Sequence, residues 1–240
     1  MLMKNAYLVD GLRTAIGSFG GSLSLVRADD LAAHVIKSLL EKYPSINSAD
    51  FDDVILGCSN QAGDDNRNVA RMAALLAGLP VNVPGETVNR LCASGLSAIN
   101  NAARAIRSNE GDLFIAGGVE HMTRAPYVIS KSAKPFGTDQ KMADSSFGWR
   151  FVNPKMEEIF GIDPMGMTAE NLIERYNISR ESQDRFALNS QNKARIAQTK
   201  GYLAEEIVPI EVVKSKKESF IFSKDEFIKP ETTMEVLSQL

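Results

Sequence analysis

The sequence is poor in the residues that hold metals and disulfides. It contains two cysteines, Cys58 and Cys92, and two histidines, His34 and His121, in 240 residues. Two cysteines make neither a disulfide framework nor a cysteine-based zinc site, and two histidines add few ligands. We therefore expect two free thiols and no metal centre.

The sequence also lacks an excess of positive charge and a long apolar run. The 27 Lys and Arg residues against 30 Asp and Glu residues give a net charge of −3, so no global positive field would hold nucleic acid or an anionic membrane. The longest uncharged stretch, residues 72–85, contains prolines and is too short to span a bilayer. The N-terminus reaches Asp10 before an apolar region of signal-peptide length has accumulated. We expect a cytoplasmic protein that binds neither nucleic acid nor membrane.

Short apolar runs alternate with helical patterns in the first half of the chain. Strands are predicted at 6–10, 52–57, 86–91 and 112–118. Between them, apolar residues recur at the spacing of amphipathic helices. This alternation predicts the α/β class, with a parallel sheet between two layers of helices.

The pattern changes after about residue 120. A loop-rich stretch is followed by helices that we expect to begin near Thr168 and Ser179, since both residues are good helix caps. The end of the chain indicates two strands joined by a basic turn. We therefore predict a first domain at residues 1–119 and a second at 120–240.

Cys92 is the residue best placed for chemistry. It lies at the junction between a predicted strand and the first turn of a helix made largely of small residues, CASGLSAINNAARAI. The first turn of a helix has amide groups without helical partners and a partial positive charge, which together stabilise a thiolate. Small neighbours leave room for a substrate to reach the sulfur. A small buried core residue is the alternative interpretation, and spacing alone does not decide between the two.

Two segments carry a family resemblance, TVNRLCASGLSAINNAARAI (87–106) and LFIAGGVEHMTRAPYV (113–128). Together they resemble the nucleophile region of the thiolases, the acyl-CoA C-acetyltransferases. Further matches, among them VDGLRTAIGSFGG, MGMTAENL and KPETTMEVL, extend the resemblance over the whole chain. The runs GDDNRNVAR (63–71) and FGWRFVNP (147–154) are similar to the 3-oxoadipyl-CoA thiolase branch.

The resemblance implies a fold and a reaction. The fold is the layered α/β/α first half of the duplicated thiolase fold, with an inserted loop domain. In the reaction, Cys92 would attack the 3-keto carbon of a 3-oxoacyl-CoA, acetyl-CoA would leave, and a second CoA would collect the shortened acyl group. Biosynthetic members run the reverse Claisen condensation. The resemblance also implies no metal or redox cofactor, with CoA as a substrate, and a homodimer or homotetramer.

Three motifs of the thiolase family are missing from this sequence. They are an NEAF-like motif, GHP and CxG, which supply an oxyanion donor, the activating histidine and a second cysteine as acid or base. His34, His121 and Cys58 match none of these motifs. We therefore expect a chain that lacks the second thiolase half and does not by itself turn over a 3-oxoacyl-CoA. A separate chain is one source of the missing half.

The resemblance also suggests three residues that would contact the substrate. Met165 matches a methionine that lines the acyl pocket, and Lys216 lies in a basic loop that would contact the CoA phosphates. Arg150 is a candidate partner for a distal substrate carboxylate. The alternatives are a core methionine, a solvated turn and a structural salt bridge, respectively.

Two other functions are compatible with the same sequence. A cysteine hydrolase would need a histidine within reach of Cys92, and His34 and His121 are the two candidates. A non-catalytic half-thiolase would associate with a second chain. An acyl group left on Cys92 would favour the thiolase, and release of a free acid without CoA would favour the hydrolase.

Overall fold

The computed structural model describes residues 4–240. Its Cα positions group into two compact units. The first contains residues up to Pro126 together with Glu206–Glu226, and the second contains Tyr127–Glu205 and Phe227–Leu240. The predicted domains at 1–119 and 120–240 stay a prediction, because a compact unit is not by that fact an independently folding domain.

A three-stranded parallel sheet forms the centre of the first unit. Its strands are β1 (Asp53–Gly57), β2 (Gly85–Val88) and β3 (Phe114–Gly118), in the order β2-β1-β3. In the middle strand, Val54, Ile55 and Leu56 are buried. Because β1 is covered on both faces, its sequence is a continuous apolar run rather than an alternating one.

Helices cover both faces of this sheet. They are α1 (Ala28–Lys42), α2 (Val69–Leu76) and α3 (Ser94–Ser108). On one face, α1 and α2 pack in one apolar cluster with Val54 and Leu56. On the other face, Ala98 and Ala102 of α3 pack against Ile55. The predicted three-layer α/β/α arrangement is confirmed.

The first predicted strand is wrong. Residues 6–10 form no strand, and Tyr7, Leu8 and Val9 are 75%, 81% and 81% exposed. An apolar run forms a strand only where a neighbouring strand satisfies its backbone groups, and no described residue pairs with this segment as a strand. The second and fourth predicted strands are confirmed. The third begins at Gly85 and ends at Val88, three residues before the predicted end.

The second unit is mainly helical. Its elements are β4 (Tyr127–Ile129), β5 (Met142–Asp144), α4 (Pro154–Phe160), α5 (Met165–Tyr176), α6 (Arg180–Thr199) and α7 (Met234–Leu237). The predicted cap at Ser179 is confirmed, since its side chain accepts a hydrogen bond from the Ser182 amide. The helix predicted to begin near Thr168 is found, but Thr168 is not its cap: α5 begins at Met165, directly after Pro164, whose fixed φ suits the start of a helix.

The first unit also contains short 3-10 turns at Ser48–Asp50 and Met122–Arg124. Among residues 4–240, none of the helices is both long enough and apolar enough to cross a bilayer.

The predicted pair of strands near the end of the chain is confirmed, and it belongs to the first unit. It is an antiparallel hairpin of β6 (Ile210–Ser215) and β7 (Glu218–Phe222). Ile210, Val212 and Phe222 form an apolar cluster with residues of the N-terminal loop and α1, namely Ala15, Leu23 and Leu31. The hairpin is therefore packed on the N-terminal part of the unit.

Two carboxylates after β7 tie the hairpin to the N-terminal loop. Asp225 accepts two hydrogen bonds from the Arg13 guanidinium, at 2.7 and 3.0 Å, and one from the Ile16 amide at 2.8 Å. Glu226 accepts hydrogen bonds from the Ser18 amide and the Ser22 hydroxyl, both at 2.8 Å. The Arg13 guanidinium lowers the pKa of Asp225.

This anchor predicts an acid-dependent loss of stability. We expect Asp225→Asn to lower the free energy of unfolding by about 1–3 kcal/mol at pH 7, because a neutral amide is a weaker partner for Arg13. The folded pKa of Asp225 lies below its unfolded value. Its contribution is therefore full above about pH 4 and is lost as the pH falls through the folded pKa.

Urea unfolding of the wild type and of Asp225→Asn between neutral and acidic pH measures this effect. The two curves should converge below about pH 4. Glu206 pairs with the same guanidinium but has a side chain that is 49% exposed, so Glu206→Gln is the matched control and should cost less than about 1 kcal/mol. A difference that stays constant into acid would contradict the assignment to Asp225.

Candidate active site

The carboxyl ends of the three parallel strands meet at one edge of the sheet, the edge at which ligands usually bind in parallel sheets. Cys58 follows β1, Asn89 follows β2, and Val119 follows β3. Backbone hydrogen bonds extend the sheet there, from the Cys58 amide to the Val88 carbonyl at 3.1 Å and from the Val119 amide to the Gly57 carbonyl at 3.0 Å.

The start of α3 lies in backbone contact with the end of β1. A Cβ atom on Gly57 would overlap the carbonyl carbon of Ser94 and the amide nitrogen of Gly95. A Cβ atom on Gly118 would come within 2.8 Å of the Gly57 carbonyl oxygen. Glycine at 57 and 118 is therefore what allows the helix to begin so close to the strand ends.

A tight turn between β2 and α3 carries Cys92. Leu91 is in the left-handed region with φ of 50°, and Ala93 has φ of −93° and ψ of 8°. The Ala93 amide donates to the Arg90 carbonyl at 3.1 Å, and the Ser94 amide donates to the Leu91 carbonyl at 3.0 Å. Cys92 thus lies two residues before α3 begins, at the junction of strand and helix that the sequence predicted.

Two polar side chains close this turn, and sequence reasoning missed both. The Ser94 hydroxyl donates to the Leu91 carbonyl at 2.6 Å and accepts from the Arg90 amide at 2.8 Å. Asn89 Oδ1 accepts from the Leu91 amide at 2.9 Å, and Asn89 Nδ2 donates to the Ser59 carbonyl at 3.0 Å. The only signal in the sequence is a pair of polar residues flanking Cys92.

Cys92 is exposed, so its interpretation as a small buried core residue is wrong. The helix behind it also has no side-chain cap, since Ala93 occupies the capping position of α3. In α2 and α6, by contrast, Asn68 and Ser179 accept a hydrogen bond from a first-turn amide. The positive end of the α3 dipole is therefore left without a side-chain acceptor beside an accessible sulfur, which suits a nucleophile.

Cys58 has the opposite environment. It is buried, and its sulfur donates to the Asn60 carbonyl at 2.8 Å. Burial raises the pKa of the Cys58 thiol to about 12, and the negative charges of Glu120 and Asp65 act in the same direction. Cys58 therefore remains a thiol at neutral pH and does not suit the role of a second acid or base.

Both histidines make hydrogen bonds to backbone carbonyl groups of the first unit. His121 Nε2 lies 3.0 Å from the Leu23 carbonyl oxygen, and His34 Nε2 lies 3.0 Å from the Pro209 carbonyl oxygen. A carbonyl oxygen only accepts, so each of these nitrogens carries a proton. The bonds attach β3 to the N-terminal loop and α1 to the hairpin, which is a structural role.

Lys216 lies in the turn between β6 and β7 and is exposed. Its neighbour Lys214 pairs with Glu218 at 3.1 Å and lies 5.1 Å from the centre of the Phe220 ring. Among the described residues, no ion pair involves Lys216. Its ammonium group is the more available of the two for a phosphate.

The other two predicted site residues lie in the second unit. Met165 is the first residue of α5 and is 82% exposed, so its interpretation as a core methionine is wrong. Arg150 donates to the Ser145 carbonyl at 3.4 Å, between Gly148 and Phe151, which both have positive φ. No ion pair of Arg150 occurs in the part of the chain that the structure describes, so a structural salt bridge is not found there.

No cluster of three or more His, Cys, Asp or Glu side chains within residues 4–240 has the arrangement of a metal site. The chemistry that the described residues offer is that of an accessible thiol two residues before a helix without a side-chain cap.

Comparison with known proteins identifies relatives along the whole chain. A model of the thiolase N-terminal domain matches residues 6–240. The beta-ketoadipyl-CoA thiolase of Acinetobacter baylyi is 55% identical over 238 residues, which cover 99% of this chain and 59% of the relative. The 3-oxoadipyl-CoA/3-oxo-5,6-dehydrosuberyl-CoA thiolase of Escherichia coli is 56% identical over 239 residues, with the same two shares.

A solved structure agrees with these relatives. The acetyl-CoA acetyltransferase of Bacillus anthracis has a TM-score of 0.88 and 36% sequence identity to this chain, and the match covers 100% of this chain and 59% of that one. The chain thus spans about 59% of the length of the relatives it matches.

The two thiols should differ sharply in reactivity. We expect iodoacetamide to alkylate Cys92 in the native protein at pH 8 and to leave Cys58 unmodified. With a pKa of about 12, Cys58 is only about one ten-thousandth thiolate at that pH, and it is buried as well. Peptide mapping by mass spectrometry gives the labelled position.

The cysteine variants are the controls for this experiment. Native Cys92→Ala should take no label and native Cys58→Ala should take one. In guanidinium, the wild type should take a label at both cysteines. Rapid labelling of Cys58 in the native protein would show that its burial is not maintained in solution.

Proposed function

The chain belongs to the thiolase family, and on that premise we propose that it provides the nucleophile of a CoA-dependent acyltransferase, with Cys92 carrying the acyl group. The observation that carries the proposal is the setting of Cys92, an exposed sulfur in a tight turn before an uncapped helix. Acyl-CoA and CoA are the proposed substrates.

The proposed reaction follows from the chemistry of a thiolate. The Cys92 sulfur forms a bond to the 3-keto carbon of a 3-oxoacyl-CoA, and the bond between C2 and C3 breaks. Acetyl-CoA leaves as an enolate and takes up one proton. The thiolate of a second CoA then attacks the acyl carbon and releases Cys92. We assign the stabilisation of negative charge that develops next to the sulfur to amides in the first turn of α3, a helix without a side-chain cap.

The first unit offers little support for a cysteine hydrolase. His121 and His34 both donate through Nε2 to backbone carbonyl groups, and Cys58 is buried as a thiol. A histidine that activates Cys92 for attack by water is therefore not evident among residues 4–240. The non-catalytic assembly role is also less favoured, because a mere assembly fragment needs no exposed thiol in a strained turn.

The names of the relatives point to a class of substrate. A 3-oxoadipyl chain ends in a second carboxylate, and two relatives above 50% identity carry that substrate in their names. We assign recognition of this carboxylate to Arg150, whose guanidinium is exposed and suited to bidentate binding. Met165 is assigned to the acyl chain and Lys216 to the CoA phosphates.

A cytoplasmic homodimer or homotetramer is the proposed assembly, and the open edge of β2 supports it because an edge strand needs a partner or a cover.

Acyl transfer to Cys92 is the direct test. We expect incubation with acetyl-CoA to add one acetyl group to the wild-type protein, and peptide mapping to place it on Cys92. Cys92→Ala is the control and should gain none, whereas Cys58→Ala should behave as the wild type. Release of acetate without an adduct would favour a hydrolase, and neither adduct nor acetate would refute acyl transfer by this chain.

The role of Lys216 predicts an effect that depends on the nucleotide part of CoA. We expect Lys216→Ala to raise the acetyl-CoA concentration for half-maximal acetylation of Cys92 by roughly three- to tenfold, through loss of a charged contact to phosphate. With the acetyl thioester of N-acetylcysteamine, which has no phosphate, the variant should match the wild type.

Lys37→Ala removes another exposed lysine of the same unit and is the matched control. It should change neither reaction. An equal effect of Lys216→Ala on both thioesters would rule out phosphate binding as its cause.

A further inference from the structure

We propose that Asn89 and Ser94 are positioning residues that hold the turn carrying Cys92 in its strained conformation. We call residues 90–94 the Cys92 turn. The proposal rests on the proposed role of Cys92 as the acyl carrier, and it adds two residues that act on Cys92 through the backbone of Arg90 and Leu91.

The Cys92 turn contains a residue in an unfavourable conformation. Leu91 has φ of 50°, where the Cβ atom of any residue other than glycine crowds the backbone. Its side chain is 70% exposed, so burial of apolar surface does not compensate for this cost. Hydrogen bonds to the backbone of Leu91 must therefore keep it there.

Ser94 holds the carbonyl side of Leu91. Its hydroxyl donates to the Leu91 carbonyl at 2.6 Å and accepts from the Arg90 amide at 2.8 Å, so both capacities of the hydroxyl are used across the turn. Ser94 is 4% exposed and its backbone lies against Gly57 of β1. Ser94 thus connects the Cys92 turn to a position that is packed against the sheet.

Asn89 holds the amide side of Leu91. Its Oδ1 accepts from the Leu91 amide at 2.9 Å, while its Nδ2 donates to the Ser59 carbonyl at 3.0 Å. The Glu120 carboxylate fixes that loop in turn, accepting from the Ser59 amide at 2.7 Å and the Asn60 amide at 3.1 Å. Asn89 therefore connects the Cys92 turn to the ends of β1 and β3.

The two contacts together set the direction of the thiol. The Leu91 amide lies in the peptide plane before Leu91 and its carbonyl lies in the plane between Leu91 and Cys92, so the two contacts hold both planes and neither φ nor ψ of Leu91 rotates freely. The second plane precedes the Cα atom of Cys92, so its orientation decides where the sulfur points relative to the start of α3. Acyl transfer needs that orientation, whereas alkylation of an exposed thiol by a small reagent depends on it far less.

The test compares acyl transfer with alkylation in Asn89→Leu and Ser94→Ala. We expect the maximal rate of Cys92 acetylation by acetyl-CoA to fall roughly five- to tenfold in each variant, the effect of losing one or two hydrogen bonds. The half-saturating acetyl-CoA concentration should stay unchanged, and the rate of iodoacetamide labelling should stay within about twofold.

Glycine at position 91 gives a rescue that a packing role would not produce. Leu91→Gly removes the penalty for a positive φ, so the turn needs less support from its neighbours. Added to Asn89→Leu or Ser94→Ala, it should restore part of the acetylation rate. No restoration, with equal loss of acetylation and alkylation, would mean that Asn89 and Ser94 act through general packing.

Amide exchange of Leu91 tests the proposal without any reaction. In protein labelled with 15N-leucine, the Leu91 amide should exchange at least about fivefold faster in Asn89→Leu than in the wild type. Unchanged exchange would overturn the role of Asn89, even if the wild type is never acetylated. An unacetylated wild type would instead refute the proposed function. If Ser94→Ala does not fold, Asn89→Leu alone decides.

Discussion

The geometry of the site depends on the contact between the backbones of Gly57 and Ser94. No side chain separates the end of β1 from the start of α3, so the helix begins directly over the strand ends. The turn before it must therefore reverse direction within a few residues, which forces Leu91 into the left-handed region and leaves Cys92 exposed at the bend. One methyl group at Gly57 would displace everything that follows in the chain up to Cys92.

The same kind of interaction organises the rest of the first unit. Carboxylates after a strand accept hydrogen bonds from the amides of a neighbouring loop. Glu120 does this for the loop after β1, and Glu226 does it for the turn at Ser18. A carboxylate can accept hydrogen bonds from several amides at once, which suits loops whose amides are not bonded within a helix or a sheet. The hairpin that carries Lys216 and the loop after β1 are thus both held by hydrogen bonds from loop amides to a carboxylate.

Much of the fold followed from periodicity, while most details of the site did not. Two strands, the nearby helices and the hairpin were predicted because their apolar spacing is local. The strand at 6–10 failed because strand formation depends on a partner that sequence does not reveal. Cys92 was predicted from its small neighbours and from resemblance. Asn89 was missed because one partner, Ser59, comes within reach only after β1 and β2 pair, and Ser94 was missed because its spacing to Leu91 does not reveal which backbone group its hydroxyl binds.

The difference in exposure between Cys92 and Cys58 has a consequence for oxidative damage. Peroxides attack accessible thiolates, so the sulfenic acid should form on Cys92 and not on buried Cys58. Since Cys58 is buried, it is not available to trap that sulfenic acid as an internal disulfide. Further oxidation of Cys92 would then be irreversible. Free CoA is itself a thiol. A mixed disulfide with CoA, the proposed substrate, would keep the oxidation of Cys92 reversible.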